Sequence, residues 1–168
     1  MYTGTGMKKD KIFNKSKFAK RFIAYIAASF YFMIGNTNAQ TPDPAVGVWK
    51  TIDDKTNTPS SLIKVEELNG TLEGTIIKTF FQPNETPLVY CTLCKDDRKD
   101  KPIIGMKIMT ELKRTKPGYW SNGKILDPDE GEIYQVKIGT EDGKKMEVRG
   151  YIGFPLLGRT QVWYKVDQ

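Results

Sequence analysis

The chain contains 168 residues, of which 39% are hydrophobic and 27% are charged, with 26 basic and 20 acidic side chains, two Cys and no His. The hydrophobic content is sufficient for a packed core, and the length suits one domain or a domain with a tail. Because there is no His, the sequence excludes Ser-His-Asp and Cys-His catalysis and also zinc or haem sites ligated by imidazole. We expect a protein without enzymatic activity, cofactor or metal.

The net charge of +6 comes entirely from the N-terminal segment. Seven basic residues and one acidic residue lie within residues 1–39, which leaves 19 residues of each sign in residues 40–168. A surface that binds a nucleic-acid backbone needs an excess of Lys and Arg. The remaining chain lacks this excess, so we expect no nucleic-acid partner.

Residues 1–39 have the pattern of a secretory signal peptide. A basic stretch ends at Arg21, a mainly apolar run covers residues 22–35, and small residues stand at Thr37 and Ala39. Cleavage after Ala39 would release a periplasmic or secreted protein. The apolar run is shorter than the roughly 20 residues of a membrane-spanning helix, so an uncleaved anchor is the less favoured alternative and no membrane span is expected after cleavage.

After a short extended lead-in at residues 40–45, the sequence predicts a single all-β domain over residues 46–168. Short alternating runs of apolar and polar residues are separated by Gly, Pro, Asn-Gly and Asp-Gly, which is typical of strands joined by hairpins. Within one run, Asn122-Gly123 indicates a bulge or a tight turn. The predicted strands cover residues 46–52, 62–68, 72–81, 103–112, 119–126, 133–138, 146–152 and 160–166.

Eight consecutive strands predict an up-and-down antiparallel barrel, because closure removes the exposed edges of a sheet. The interior of an eight-stranded barrel is filled by side chains or holds one small ligand. A sandwich of two sheets is the alternative architecture.

The order of motifs after residue 46 resembles a bacterial family of small exported proteins of unknown function. The resemblance covers about residues 46–166, and its most specific pieces are Asp127-Pro128 with Gly131 and Tyr134, Arg149-Gly150-Tyr151, Gly158-Arg159-Thr160-Gln161 and Trp163. It implies a barrel of the lipocalin-like (calycin) type and no established activity.

In lipocalin-like barrels, a Gly-x-Trp motif on the first strand places the indole in one end of the barrel, beneath a cation from the last strand. Gly47-Val48-Trp49 is similar to this motif, and the last strand offers Arg159 and Lys165. The resemblance therefore implies barrel closure by these residues. Lys165 stands where the family pattern favours Arg, and Lys stacks less well on an aromatic ring.

Cys91 and Cys94 are the only cysteines. Lys95 follows the second one, so the signature of covalent haem attachment fails. In an exported protein we expect a structural disulfide that braces the long loop between Phe81 and Pro102. Reactive thiols and a zinc site shared by two chains are the alternatives.

A cluster of acidic residues occupies one turn and comprises Asp127, Asp129, Glu130 and Glu132. Its spacing differs from a calcium-binding loop, so ordinary turn chemistry is favoured over a metal site. Arg149 alternates with Val148 and is expected on the outer face of the barrel. A bulge at Gly150 would instead turn Arg149 or Tyr151 inward as a polar anchor for a carboxylate.

Three functions are compatible with these features. The first is the binding of a small apolar or amphipathic ligand inside the barrel. The candidate lining residues for that ligand are Met106, Ile108, Trp120, Val136, Met146, Val148 and Val162. The second is a structural or interaction protein of the envelope, with a filled barrel and exposed apolar contacts at Phe80-Phe81 and residues 154–157. The third is a thiol-disulfide redox role of Cys91 and Cys94. The sequence does not specify a protein partner.

Overall fold

A computed structural model describes Met1, residues 41–83 and residues 86–167 of the chain. The predicted signal segment, apart from Met1, lies outside the described residues. In the described part, the eight strands are β1 (Gly47–Ile52), β2 (Pro59–Leu68), β3 (Thr71–Thr79), β4 (Lys107–Lys116), β5 (Tyr119–Asp127), β6 (Glu132–Gly139), β7 (Lys145–Tyr151) and β8 (Gly158–Lys165). The predicted number and order of strands are therefore confirmed. Over these residues no helix is found that has the length and apolarity needed to cross a membrane.

The strands form one closed antiparallel barrel in which each strand pairs with its neighbours in sequence. Closure comes from β1 and β8, where Trp49 lies opposite Lys165. The sandwich alternative is therefore wrong. Asn69-Gly70 joins β2 to β3 with φ angles of 51° and 78°, as a two-residue hairpin turn of this composition requires.

The connections between strands define the two ends of the barrel. Four connections lie at one end, which we call the loop end. They join β1 to β2, β3 to β4, β5 to β6 and β7 to β8, and comprise residues 53–58, 80–106, 128–131 and 152–157. Residues 41–46 enter β1 at the opposite end, where β8 also finishes. We call this second end the plugged end.

Large side chains fill the barrel interior. Those with less than 2% of their surface exposed include Trp49, Trp120, Trp163, Ile63, Leu72, Met109, Leu112, Met146, Val65 and Val136. These side chains belong to one cluster of buried residues and pack against one another in the middle of the barrel.

Bulges in two strands keep the inward face continuous. The register between β5 and β6 shifts between Trp120 and Gly123, and Asn122 has a φ angle of 60°. Asn122-Gly123 is thus a bulge and not a turn. In β4, Glu111 has a φ angle of 64° beside a similar shift. Each bulge adds one residue to the strand, so the alternation of buried and exposed positions reverses beyond it.

The prediction of which β8 side chains point into the barrel is wrong. Val162 was expected to point into the barrel, but its side chain is 39% exposed, and Trp163 is buried instead. Trp163 pairs with Met146, which is fully buried on β7. Both faces of β8 carry apolar residues, and the face with the indole faces inward because Trp buries more apolar surface than Val.

Candidate functional site

The plugged end is closed by Trp49 and a cation from β8. The Lys165 ammonium lies 4.7 Å from the centre of the Trp49 ring and donates hydrogen bonds to the carbonyl oxygens of Pro44 and Val46. Burial lowers the pKa of Lys165, and the charge of Asp43 opposes this shift. At Gly47, where φ is 139°, a Cβ would lie 2.7 Å from the Lys165 side chain. Glycine therefore lets the lysine reach the indole.

Arg159, the other cation offered for closure, lies elsewhere. It forms an ion pair with Asp54, at the loop end of the barrel. Among the residues expected at the closure, the structure thus brings together Gly47, Trp49 and Lys165.

Asp43 holds the lead-in across the plugged end, and sequence reasoning missed it. Its carboxylate is completely buried and accepts hydrogen bonds from the backbone N–H of Ala45 (2.9 Å), the backbone N–H of Gly118 (3.0 Å) and the Trp120 indole (3.1 Å). Arg114 lies 3.6 Å from the same carboxylate and 4.9 Å from the centre of the Trp120 ring. The Asp43-Pro44 dipeptide signals a turn, and the lead-in does contain one rather than being fully extended. The partners from β5 and the β4–β5 turn cannot be read from the sequence.

Six of the seven predicted lining residues belong to one cluster of buried side chains: Met106, Ile108, Trp120, Val136, Met146 and Val148. Ile108 lies where the register between β3 and β4 shifts, next to Met109, which is opposite Gly74. Val162 is exposed, as described above. Met106 precedes β4 and also borders a groove on the outer wall.

That groove has a volume of about 700 Å³ and lies between the β3–β4 connection and the outer faces of β4 to β6. A second pocket of about 220 Å³ also lies on the outer wall. Charged side chains of both signs line the groove: Asp96, Asp97, Arg98, Lys101, Lys107, Glu111 and Lys124. This mixed lining does not define one class of ligand.

The disulfide between Cys91 and Cys94 is present, with 5.4 Å between the two Cα atoms. Both cysteines are buried, and the Cys91 sulfur lies 3.7 Å from the carbonyl oxygen of Pro128. The bridge therefore braces the long loop against the β5–β6 turn. An incoming thiolate needs access to one of the sulfurs, so this burial favours the structural interpretation over a redox role.

The acidic turn has the geometry of ordinary turn chemistry. The Asp127 carboxylate accepts backbone hydrogen bonds from Asp129 and Glu130, and the Tyr134 hydroxyl donates to the Glu130 carboxylate at 2.6 Å. Burial, together with the negative charges of Asp127 and Asp53, raises the pKa of Asp129. The hydrogen bond to Glu130 raises the pKa of Tyr134 to about 12. Among the described residues, no group of carboxylates and cysteines is arranged to hold a metal ion.

Arg149 lies on the outer face and organises the β7–β8 connection. Its guanidinium donates to the carbonyl oxygens of Pro155 (2.6 Å) and Leu156 (3.4 Å) and to the Thr160 hydroxyl (2.8 Å). Arg149 is therefore not an inward anchor. Tyr151 is also on the outer face, since it lines the outer-wall pocket, although only 8% of its surface is exposed.

The connection that Arg149 organises, residues 152–157, presents large apolar side chains to solvent, and we call it the apolar loop. The exposed fractions are 68% for Ile152, 74% for Phe154, 91% for Leu156 and 72% for Leu157. The backbone is ordered by hydrogen bonds from Ile152 N–H to the Leu157 carbonyl and from Leu157 N–H to the Phe154 carbonyl. Across the loop end, Phe81 is 42% exposed, and Phe80 is half-buried.

Between the tryptophans and the loop end, inward side chains are less completely buried. Gly150 pairs with the buried Val136, and a Cβ at Gly150 would meet only Tyr134 and Ile125, at 3.7 and 3.8 Å. Both of these side chains are half-buried. We call this region, lined by Ile125, Tyr134 and Gly150, the cup.

Comparisons with known proteins agree with this architecture. The solved structure of Protein HP1028 from Helicobacter pylori, described as belonging to the lipocalin family, is similar with a TM-score of 0.64 and 15% sequence identity, over 74% of this chain and 84% of that chain. At this identity the similarity shows the fold alone, which is the predicted lipocalin-like barrel. No curated protein matches the sequence. The sequence model of a family described as "Uncharacterized protein conserved in bacteria (DUF2147)" matches residues 47–165. The chain therefore belongs to the DUF2147 family of bacterial proteins.

Proposed function

We propose that the protein is exported and acts in the bacterial envelope as a lipocalin-like interaction protein that docks through its apolar loop. The observation that carries this proposal is the ordered exposure of Ile152, Phe154, Leu156 and Leu157, each at least 68% exposed. If a fully exposed large side chain has an accessible surface of about 200 Å², the exposed fractions of these four residues correspond to roughly 600 Å² of apolar surface. That area is at the upper end for the largest apolar patch of a monomeric protein, and such patches commonly mark interaction sites.

The filled interior supports docking over internal binding. Trp49, Trp120 and Trp163 occupy the barrel where a lipocalin-like protein would hold a ligand in its depth, and each is at most 2% exposed. The export of the protein rests on the pattern of residues 1–39. Removal of that segment would leave 19 basic and 19 acidic residues and therefore a formal net charge of zero. Docking through apolar contacts is compatible with this neutral chain.

Sedimentation with washed bacterial envelopes tests this function. The protein is expressed from its complete sequence and added to envelopes as wild type, as the double variant Phe154→Ser/Leu156→Ser, and as the control Leu68→Ser. Leu68 is 47% exposed and ends β2 at the plugged end. The Leu68→Ser substitution therefore removes a similar side chain from the opposite end of the barrel. We expect the wild type and the control to sediment and the double variant to remain in solution. Equal sedimentation of all three would refute docking through the apolar loop.

A second candidate function, the binding of one small apolar or amphipathic molecule, is favoured by the cup. A Cβ at Gly150 would fit in ordinary contact with Ile125 and Tyr134, and the Tyr134 hydroxyl supplies a polar group at the rim. Native mass spectrometry of the protein purified from its own cells tests this candidate. We expect a retained molecule in the wild type and its loss in Gly150→Leu, which fills the cup. An unliganded wild type would refute it.

A further inference from the structure

We propose that the component contacted by the apolar loop is the surface of a phospholipid bilayer with anionic headgroups. This inference rests on the proposed function, because it names the partner of the same loop. Residues 150–158 contain no charged side chain, and Arg149 and Arg159 stand directly on either side of them. Arg159 is paired with Asp54, so the flanking cation available to headgroups is Arg149. An apolar tip with a guanidinium at its base matches the interface of a bilayer, where acyl chains lie below a layer of phosphates.

The backbone of the loop is prepared for entry into an apolar phase. Carbonyl groups that enter lipid without a hydrogen bond are costly. The carbonyls of Ile152, Phe154 and Leu157 accept hydrogen bonds from backbone N–H groups. The carbonyls of Pro155 and Leu156 accept from the Arg149 guanidinium. Arg149 thus provides hydrogen bonds to the carbonyl groups at the tip of the loop. The Arg149 side chain itself lies at the base of the loop, close to the headgroups.

The shape of the loop favours a deformable surface over a protein pocket. Leu156 is 91% exposed, so the loop protrudes, and no residue of the loop lines either of the two pockets described above. A bilayer accommodates such a protrusion without a matching cavity. Phe81, on another connection at the same end of the barrel, is positioned as an additional apolar contact.

Fluorescence of a Trp introduced into the loop, Phe154→Trp, tests lipid contact directly. The three native tryptophans are buried and provide a constant background. The protein is mixed with vesicles of phosphatidylethanolamine and phosphatidylglycerol (3:1) and with vesicles of phosphatidylcholine alone. We expect a blue shift of the Phe154→Trp emission, quenching by brominated acyl chains and a preference for the anionic vesicles. No spectral change with either vesicle would overturn the proposal.

Vesicle partitioning of loop variants provides the second measurement. We expect Leu156→Ser to lower the partition coefficient at least tenfold, and Leu68→Ser at the plugged end to change it less than twofold. Equal partitioning of both variants would also overturn the proposal. If the wild type fails to bind protein-free vesicles but still sediments with whole envelopes through the apolar loop, the partner is a protein: the lipid proposal fails, and the proposed function stands.

Discussion

Replacement of Asp43 by Ala should strongly destabilise the plugged end of the barrel. The carboxylate is fully buried and accepts three hydrogen bonds, two of them from groups 75 and 77 residues away in sequence, Gly118 and Trp120. Removal of the carboxylate leaves buried donors without an acceptor. A buried unsatisfied donor costs about 1–3 kcal/mol, so we expect Asp43→Ala to lower the free energy of unfolding by about 3–5 kcal/mol.

Urea-induced unfolding measures this loss, and a thermal melt should show a fall of about 10–20 °C for a domain of this size. Asp43→Asn keeps one oxygen acceptor and should lose less. Asp142→Ala is the matched control, because Asp142 accepts two backbone hydrogen bonds on the exposed surface, and it should cost less than about 1 kcal/mol. In a double-mutant cycle with Trp120→Phe, the coupling should be about 1 kcal/mol. An Asp43→Ala protein as stable as the Asp142→Ala control would refute the role assigned to the buried carboxylate.

Three further predictions concern Gly47, the disulfide and Tyr134. Gly47→Ala should cost about 1–3 kcal/mol in unfolding free energy, because its Cβ displaces Lys165 from the Trp49 ring at a strained φ. Gly70→Ala also introduces a side chain at a positive φ, 78° against 139°, but has no atom within 4 Å, so it measures backbone strain without displacement. Equal losses would contradict the close-approach argument. The double variant Cys91→Ser/Cys94→Ser should lose about 2 kcal/mol by chain entropy while its sedimentation with envelopes is unchanged, and a loss of sedimentation at intact stability would favour a redox role. The folded pKa of Tyr134, about 12, exceeds the value of 10 for the unfolded chain, so its contribution to stability is present below pH 10 and is lost as the pH rises from 10 to 12. Ultraviolet titration checks this, and a curve above pH 11 that is unchanged in Tyr134→Phe would count against it.

The fold was predictable from the sequence because its determinants are local. Asn69-Gly70 and Asp142-Gly143 specify tight turns, and short alternating runs between such turns specify strands, so the number and order of strands follow. The observed strands differ from the predicted ones mainly at their ends. β4, for example, begins at Lys107, because residues 103–106 belong to the long connection that folds over the outer wall.

The site was less predictable, because it depends on which face of each strand points inward and on contacts between distant residues. Val162 and Trp163 alternate on a strand with apolar residues on both faces, so the pattern alone did not identify the buried one. Ile108 and Met109 are adjacent and both buried where the register between β3 and β4 shifts, so strict alternation along β4 does not predict both. The exposed apolar residues 154–157 were visible in the sequence. The role of Arg149 in ordering them was not, because its carbonyl partners follow from the shape of the connection.

A polarity-sensitive fluorophore in the apolar loop tests the central claim most directly. Because both native cysteines form a disulfide, a single introduced thiol can be labelled selectively in Leu156→Cys or, at the plugged end, in Leu68→Cys. On addition of washed envelopes, we expect a blue shift and slower collisional quenching for the label at position 156 and no change at position 68. Equal responses at the two positions, or no response at position 156, would contradict the account.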